Sequence, residues 1–262
     1  MCFMKNTNLF DLDGKVAVVT GSTRGIGRAI AEALSQCGAK VVISSRKTVA
    51  CDEVARSIRE MGGEALAVPC NVSSTQQLKE LVNCSLAKWK RIDILVCNAA
   101  ANPYFGSLSK ASDSVYDKVM DTNVKQVMGL CHMVIPQMVA QKSGSIIIVS
   151  SIGGLKGHPN LGLYAISKAA EMQLARNLAV EWGQKNITVN CIAPGLVKTD
   201  FSKKLWEDSV VLEETLQSYP LGRIGQPEDV AGAAVFLASP AGAFVTGQVI
   251  VVDGGATIAM GN

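Results

Sequence analysis

The 262-residue chain has no apolar run long enough to cross a bilayer; its longest, at 146–149 and Val249–Val252, suit buried strands. Aromatic residues make up only 5% and there are two histidines. No stretch is rich in Lys and Arg, and 25 basic against 22 acidic residues leave a net charge of +3. That balance argues against nucleic acid as a partner. Residues 1–10 lack the apolar centre of a secretory signal, and Ala259-Met260-Gly261-Asn262 matches neither a peroxisomal Ser-Lys-Leu type signal nor a lipidation motif. The eight cysteines, Cys2, Cys37, Cys51, Cys70, Cys84, Cys97, Cys131 and Cys191, form no C-x-x-C pair and none sits near a histidine at metal-ligand spacing. The expectation is packed, reduced thiols in a cytoplasmic protein with no metal site and no membrane span.

What is present is a regular alternation. With 48% hydrophobic residues the chain can bury a full core without staples. Apolar, β-branched strand patterns at 15–20, 40–45, 65–69, 92–97, 145–150, 188–192 and 248–252 alternate with helical patterns at 25–37, 49–61, 75–89, 113–135, 162–185 and 227–238. Seven strands alternating with helices predict an α/β fold: one doubly wound Rossmann domain over 1–262, with a parallel sheet and helices on both faces. Ser74-Thr75-Gln76-Gln77 reads as a capping box, and Pro227 suits a helix's first turn. The alternation breaks only at 196–225, a more polar stretch with Trp206 and Tyr219. An insertion after a late strand lies at the strands' carboxyl ends, so it is expected to be a small substrate lid.

Three groups of residues carry chemistry. Gly21-Ser22-Thr23-Arg24-Gly25-Ile26-Gly27 follows the first strand and opens the first helix. Gly21 allows a tight exit, Gly25 lets the backbone approach a pyrophosphate, and Gly27 allows close helix–strand packing. The second strand ends in Ser44-Ser45-Arg46-Lys47, with no carboxylate for an adenosine ribose. Arg24 and Arg46 can instead bracket a 2′-phosphate, so NADP(H) is expected over NAD(H). Tyr164 and Lys168, at i and i+4, share a helix face. A free phenol titrates near 10; an adjacent ammonium lowers that value and fits the tyrosine for acid–base work. Ser151, thirteen residues upstream, can hydrogen-bond a substrate oxygen.

Over essentially its whole length the sequence resembles the short-chain dehydrogenase/reductase family. The matching residues are the Gly-rich turn at 20–27, Asn98-Ala99-Ala100 where the family has Asn-Ala-Gly, Asn123 within Asp121-Thr122-Asn123-Val124, Ser151, Tyr164 and Lys168, and Pro194-Gly195. Ser44 to Lys47, Asn98 to Gly106 and Pro194 to Trp206 are similar to the NADP-dependent carbonyl reductase and retinol dehydrogenase/reductase branch. The resemblance implies hydride transfer between NADP(H) and a ketone or aldehyde and its alcohol. Tyr164 would be the proton donor, Ser151 would polarise the carbonyl, Lys168 would tune Tyr164 and hold the nicotinamide ribose, and Asn123 would hold a relay water. Ser45 and Val72 fall among the implied cofactor contacts, as does Asn71, which stands where many members have Asp and can accept from the adenine amino group. Backbone at Asn98, Ala99, Ala100, Pro194, Gly195, Val197 and Thr199 would flank the ribose and carboxamide. The family often forms tetramers or dimers, with helices 113–135 and 162–185 pairing. A 3-ketoacyl-thioester reductase and a non-catalytic scaffold are the alternatives. Cys97 and Cys191 are expected near the cofactor, where alkylation can block it. His158 is expected either at the substrate mouth or exposed; His132 is expected packed or partly exposed, Trp89 and Trp182 read as helix packing, and Met120, Met128, Met133 and Met138 as core or interface filler.

Overall fold

The computed structural model describes residues 8–259; Cys2, the rest of 1–7, and Met260, Gly261 and Asn262 lie outside the described residues. The described chain runs β1 (Val16–Thr20), α1 (Gly25–Gln36), β2 (Lys40–Ser44), α2 (Thr48–Glu60), β3 (Ala65–Ala67), α3 (Thr75–Trp89), β4 (Ile94–Cys97), α4 (Asp113–Met120), α5 (Gln126–Gln141), β5 (Gly144–Val149), α6 (Gly162–Trp182), β6 (Ile187–Pro194), α7 (Ser209–Leu216), α8 (Pro227–Ala238) and β7 (Val249–Val252). The strands form one parallel sheet in the order β3-β2-β1-β4-β5-β6-β7.

Strand side chains alternate between faces, so a strand buried on both sides must be apolar throughout. Val18, Val42, Leu95, Ile146, Ile148 and Val189 face one way, onto α3, α5 and α6. Val19, Val41, Ile43, Val96, Ile147 and Val149 face the other, onto α1, α2 and α8. This is the doubly wound arrangement. Strand order reverses where β1 pairs with β2 on one side and β4 on the other, which opens a crevice beyond the carboxyl ends of β1 and β4.

The elements depart from the sequence pattern in four places. The helix expected over 113–135 is three pieces: α4, one turn of π-helix at Asp121–Lys125, and α5, which continues past Pro136 to Gln141. Proline removes one intrahelical hydrogen bond, but the buried face of Val134, Ile135 and Met138 carries the helix through. The helix expected to run to 185 ends at Trp182, and Gly183–Lys185 is a 3-10 turn closed by left-handed Asn186. The capping box at Ser74 is half made: Ser74 Oγ accepts from the Gln77 amide at 3.3 Å, but the Gln77 side chain accepts from Asn71 N at 2.7 Å. The loop before α3 curls in far enough to take that acceptor. The 196–225 stretch holds a 3-10 helix (Asp200–Leu205) and α7, and it is stitched back by a bridge between Val197 and Gly225. Trp89 and Trp182 pack against the core as expected, while His132 is exposed. Among the described residues no helix is long and apolar enough to cross a membrane.

Candidate active site

The Gly-rich turn is held by hydrogen bonds from β4. Asn98 Nδ2 donates to the carbonyls of Thr20 (2.9 Å) and Gly21 (3.2 Å), and the amides of Asn98 and Ala99 donate to Thr20 Oγ1 at 3.0 and 3.1 Å. Gly21 and Gly25 sit at φ +67° and +52°, where a side chain is strained. A Cβ on Gly25 would lie 3.0 Å from Thr199 Cγ2, so the turn passes against the start of the 196–225 segment. Gly27 is buried, and a Cβ there would overlap Asn98 Nδ2 and the Gly21 carbonyl. Arg24, at the α1 N-cap, makes no side-chain cap, and the first turn holds no acid. The helix therefore presents unclaimed amides and its positive dipole end to the crevice.

Several expected contact residues are occupied within the protein. Ser22 is buried; its hydroxyl donates to Val19 O and accepts from Ser44 N, both at 2.8 Å, so it joins β1 to β2. Arg24 is exposed and pairs with Asp200 at 3.0 Å. Arg46 is exposed at the end of β2, while Ser45 is half-buried. Asn71 Oδ1 accepts from Ser73 N at 3.1 Å. Gly195 packs against the Asp253 backbone, and Leu196 N donates to the Tyr219 hydroxyl at 2.7 Å, fixing the chain as it leaves β6. Val197 is buried, and Thr199 caps the following 3-10 helix together with Ser202.

Ser151, Tyr164 and Lys168 come together at the end of β5. Ser151 caps the 3-10 turn Ile152–Gly154, accepting from Gly153 N at 3.1 Å. A Cβ on Gly153 would touch both Ser151 Oγ (3.4 Å) and the Tyr164 ring (3.9 Å), which marks how closely the two converge. Phe201 of the 196–225 segment lies 6.2 Å from the Tyr164 ring, centroid to centroid. Lys168 is fully buried, and its Nζ lies 5.5 Å from that ring. Burial raises the Tyr164 phenol above its usual value; Lys168 pulls it down, Glu171 pushes it up and Ser151 pulls it down. Lys168 acts in the expected downward direction, but in this structure desolvation outweighs the ammonium and the net shift is upward.

Asn123 lies in the π-helical turn and is fully buried. Its Oδ1 accepts from Ala101 N at 2.8 Å, and its Nδ2 donates to Ala101 O and Ser167 Oγ, both at 3.0 Å. Its side chain thus ties the segment after β4 to α6 and makes no hydrogen bond to Lys168. His158 Nδ1 accepts from Asn160 N at 3.1 Å, and its ring meets Phe105 edge-on at 6.2 Å. Burial, then Lys156, lowers its pKa.

Residues 21–257 match the family described as enoyl-(acyl carrier protein) reductase. The chain is 44% identical to dehydrogenase/reductase SDR family member 4 of Sus scrofa, over 93% of this chain and 88% of that protein. The chain belongs to the short-chain dehydrogenase/reductase family. This short-chain dehydrogenase/reductase is thus an oxidoreductase of the dehydrogenase/reductase type. In structure it is similar to 7α-hydroxysteroid dehydrogenase complexed with NADH and 7-oxo glycochenodeoxycholic acid: TM-score 0.93, 36% identity, 99% of this chain and 100% of that one. It is also similar to gluconate 5-dehydrogenase from Burkholderia cenocepacia in complex with NADP and tartrate: TM-score 0.92, 33% identity, 96% of this chain and 98% of that one.

Sequence reasoning placed Thr20 and Ala101 only within longer motifs, without a role, and it missed Ser167 and Glu171. Thr20 looks like a strand end, and Ala101 acts through its backbone. Ser167 and Glu171 sit in a helix whose charged residues read as surface. Only Glu171 left a trace, an acid at i+3 from Lys168. The described cysteines are free thiols and mostly buried, as expected, but the reading of Cys97 and Cys191 as alkylation sites is not supported. Cys97 is a buried free thiol hydrogen-bonded to the Cys131 thiol, which with burial raises its pKa well above normal; burial, with Glu171, pushes Cys191 up to about 12. Neither is open to alkylation in the folded chain. Cys84 is exposed. Limited treatment with iodoacetamide is expected to label Cys84 before the other described cysteines and leave activity intact, with reductants equally without effect. Peptide mass mapping alongside an assay checks this; inhibition tracking Cys97 or Cys191 labelling would refute it.

Proposed function

We propose that this short-chain dehydrogenase/reductase interconverts a ketone or aldehyde and its alcohol using NADP(H). The observation that carries the reading is the convergence of the Ser151 hydroxyl and the Tyr164 ring beside buried Lys168, at the strand ends that open the cofactor crevice. The residues fit a dinucleotide: a positive-φ turn with no room for side chains at Gly25 and Gly27, leading into an uncapped helix N-terminus. Gly21 to Gly27 would hold the pyrophosphate through backbone amides, Arg24 and Arg46 the 2′-phosphate, and Ser45, Asn71 and Val72 the adenosine. Asn98, Ala99, Ala100, Pro194, Gly195, Val197 and Thr199 would flank the nicotinamide riboside, whose ribose Lys168 would reach. When bound, the nicotinamide supplies or removes the hydride. Ser151 orients and polarises the substrate oxygen, and Tyr164 hands that oxygen a proton in reduction and removes one in oxidation. Asn123 locks Ala101 and Ser167 in place around them and would hold the water that returns protons to Lys168.

The whole chain works as one domain, with 196–225 as the lid. Exposed Tyr116, Met128, Ile166 and Val180 on α4, α5 and α6 support homo-oligomer formation, as dimer or tetramer, through those helices. The free thiols suit a cytoplasmic setting. The deciding experiment is an NADPH-oxidation panel of diketones, quinones, retinal, steroids, sugar ketones and ketoacyl thioesters. The thioesters are included because the matched family's description names an acyl carrier protein. Failure with every carbonyl would overturn the reading.

NADP(H) preference is expected to be at least tenfold in kcat/KM, since one charge-assisted contact contributes about 1.5–3 kcal/mol. Arg46→Asp is expected to flatten or reverse it. Because Arg24 is engaged with Asp200 while Arg46 stands free at the strand end, Arg46 is expected to matter more. Equal kcat/KM for both cofactors in the unaltered protein would refute the preference.

A further inference from the structure

Lys168 and Glu171 are one turn apart on α6, and each is 1% exposed. The Lys168 ammonium donates to Glu171 Oε1 at 2.9 Å, Glu171 Oε2 at 3.0 Å and the Val149 carbonyl at 3.0 Å. The ammonium thus meets two protein groups, the Glu171 carboxylate and the Val149 carbonyl, both on the side of β5 and α6. The Lys168 carbonyl is itself held by Ser150 Oγ at 2.8 Å, so backbone and ammonium are both fixed to the end of β5.

We propose that Glu171 is a positioning residue for the acid–base step: it anchors the Lys168 ammonium against Val149 and cancels much of its charge, which keeps Tyr164 as the protonated phenol that carbonyl reduction consumes. This rests on the reading of Tyr164 as the proton donor. In reduction the carbonyl carbon gains a hydride from the reduced nicotinamide, and the carbonyl oxygen gains the Tyr164 proton. Alcohol oxidation needs the reverse, a phenolate ready to accept a proton. An ammonium 5.5 Å from the ring favours phenolate; a carboxylate within 3.0 Å of that ammonium opposes it. The paired acid therefore tilts the site toward reduction.

The other groups around the pair carry little charge. On β5 these are the Val149 carbonyl and the Ser150 hydroxyl, on β6 Cys191, on β4 Cys97 and on α5 Cys131; Arg176, further along α6, acts on Cys191. The raised thiols of Cys97 and Cys191 are neutral at physiological pH. Burial pushes Glu171 up to about 7 even with Lys168 beside it. Burial opposes the Lys168 charge, but Glu171 and Tyr164 outweigh it and raise the lysine.

The test is titration of Tyr164 by phenolate ultraviolet absorbance in the folded chain, isolated by subtracting the Tyr164→Phe protein. Glu171→Gln keeps the shape and removes the charge, and the Tyr164 midpoint is expected to fall by about one pH unit or more. The pH profile of kcat/KM for alcohol oxidation is expected to move the same way. An unchanged or raised midpoint overturns the proposal. Should Glu171→Gln not fold alone, the double variant Lys168→Met/Glu171→Gln, which removes both charges together, decides. A rise in the Tyr164 midpoint of less than one unit supports an already neutralised ammonium, and a larger rise overturns it. The titration uses no substrate, so failure of the carbonyl panel and failure of this proposal are read separately.

Discussion

Tyr164→Phe is expected to lower kcat at least about a hundredfold while leaving the fold and cofactor affinity in place. General acid–base catalysis typically supplies about 10²–10⁴-fold, and the substitution removes only the hydroxyl. The ring still packs at the start of α6, beside Ser151 and facing Phe201. The structure adds a reason for the effect to fall on kcat: Lys168 is held by Val149 and Glu171, so loss of the phenol does not release it. Steady-state kinetics with a direct NADPH titration checks this. Retention of more than a tenth of kcat, with chemistry shown to limit the rate, moves the acid elsewhere, and His158 is the next group to examine.

Gly27→Ala is expected to cost at least about 2 kcal/mol of stability and to weaken NADPH binding tenfold or more. The added methyl would overlap Asn98 Nδ2 and the Gly21 carbonyl, both fixed by hydrogen bonds to β1 and β4. Overpacking of this kind costs about 1–3 kcal/mol, and leaving the Asn98 amide unpaired costs a similar amount. In a protein of this size that is a fall in Tm of roughly 4 °C or more. Relief of the clash must move α1 away from the turn, which withdraws its N-terminal amides from the phosphate position. Thermal unfolding with and without NADPH measures both effects. An unshifted Tm with an unchanged Kd would show that the helix entry tolerates a side chain, contrary to the packing described.

By itself the sequence determined the α/β class, the seven strands and the helices between them, because the strands are short apolar runs, most of them rich in β-branched residues, and the helices between them are longer and mixed in polarity. It also located the Gly-rich turn and the Ser151, Tyr164 and Lys168 set, since these depend on local spacing: a strand exit, a helix start, an i to i+4 pair. Only the tertiary structure decided which polar groups were already occupied. Ser22 reads as a turn residue facing a phosphate, yet its hydroxyl joins two strand ends. Arg24 faces the same crevice but meets Asp200, 176 residues away. Asn123 reaches Ala101 and Ser167 because a π-helical turn rotates it inward, and a helix pattern at a period of 3.6 does not register one extra residue. Glu171 is the clearest case. A charged residue in a long helix belongs on the solvent face by pattern alone, and here it is buried because the equally buried Lys168 and Val149 stand within reach. Local spacing is written in the chain, whereas desolvation and pairing depend on neighbours that only folding brings together.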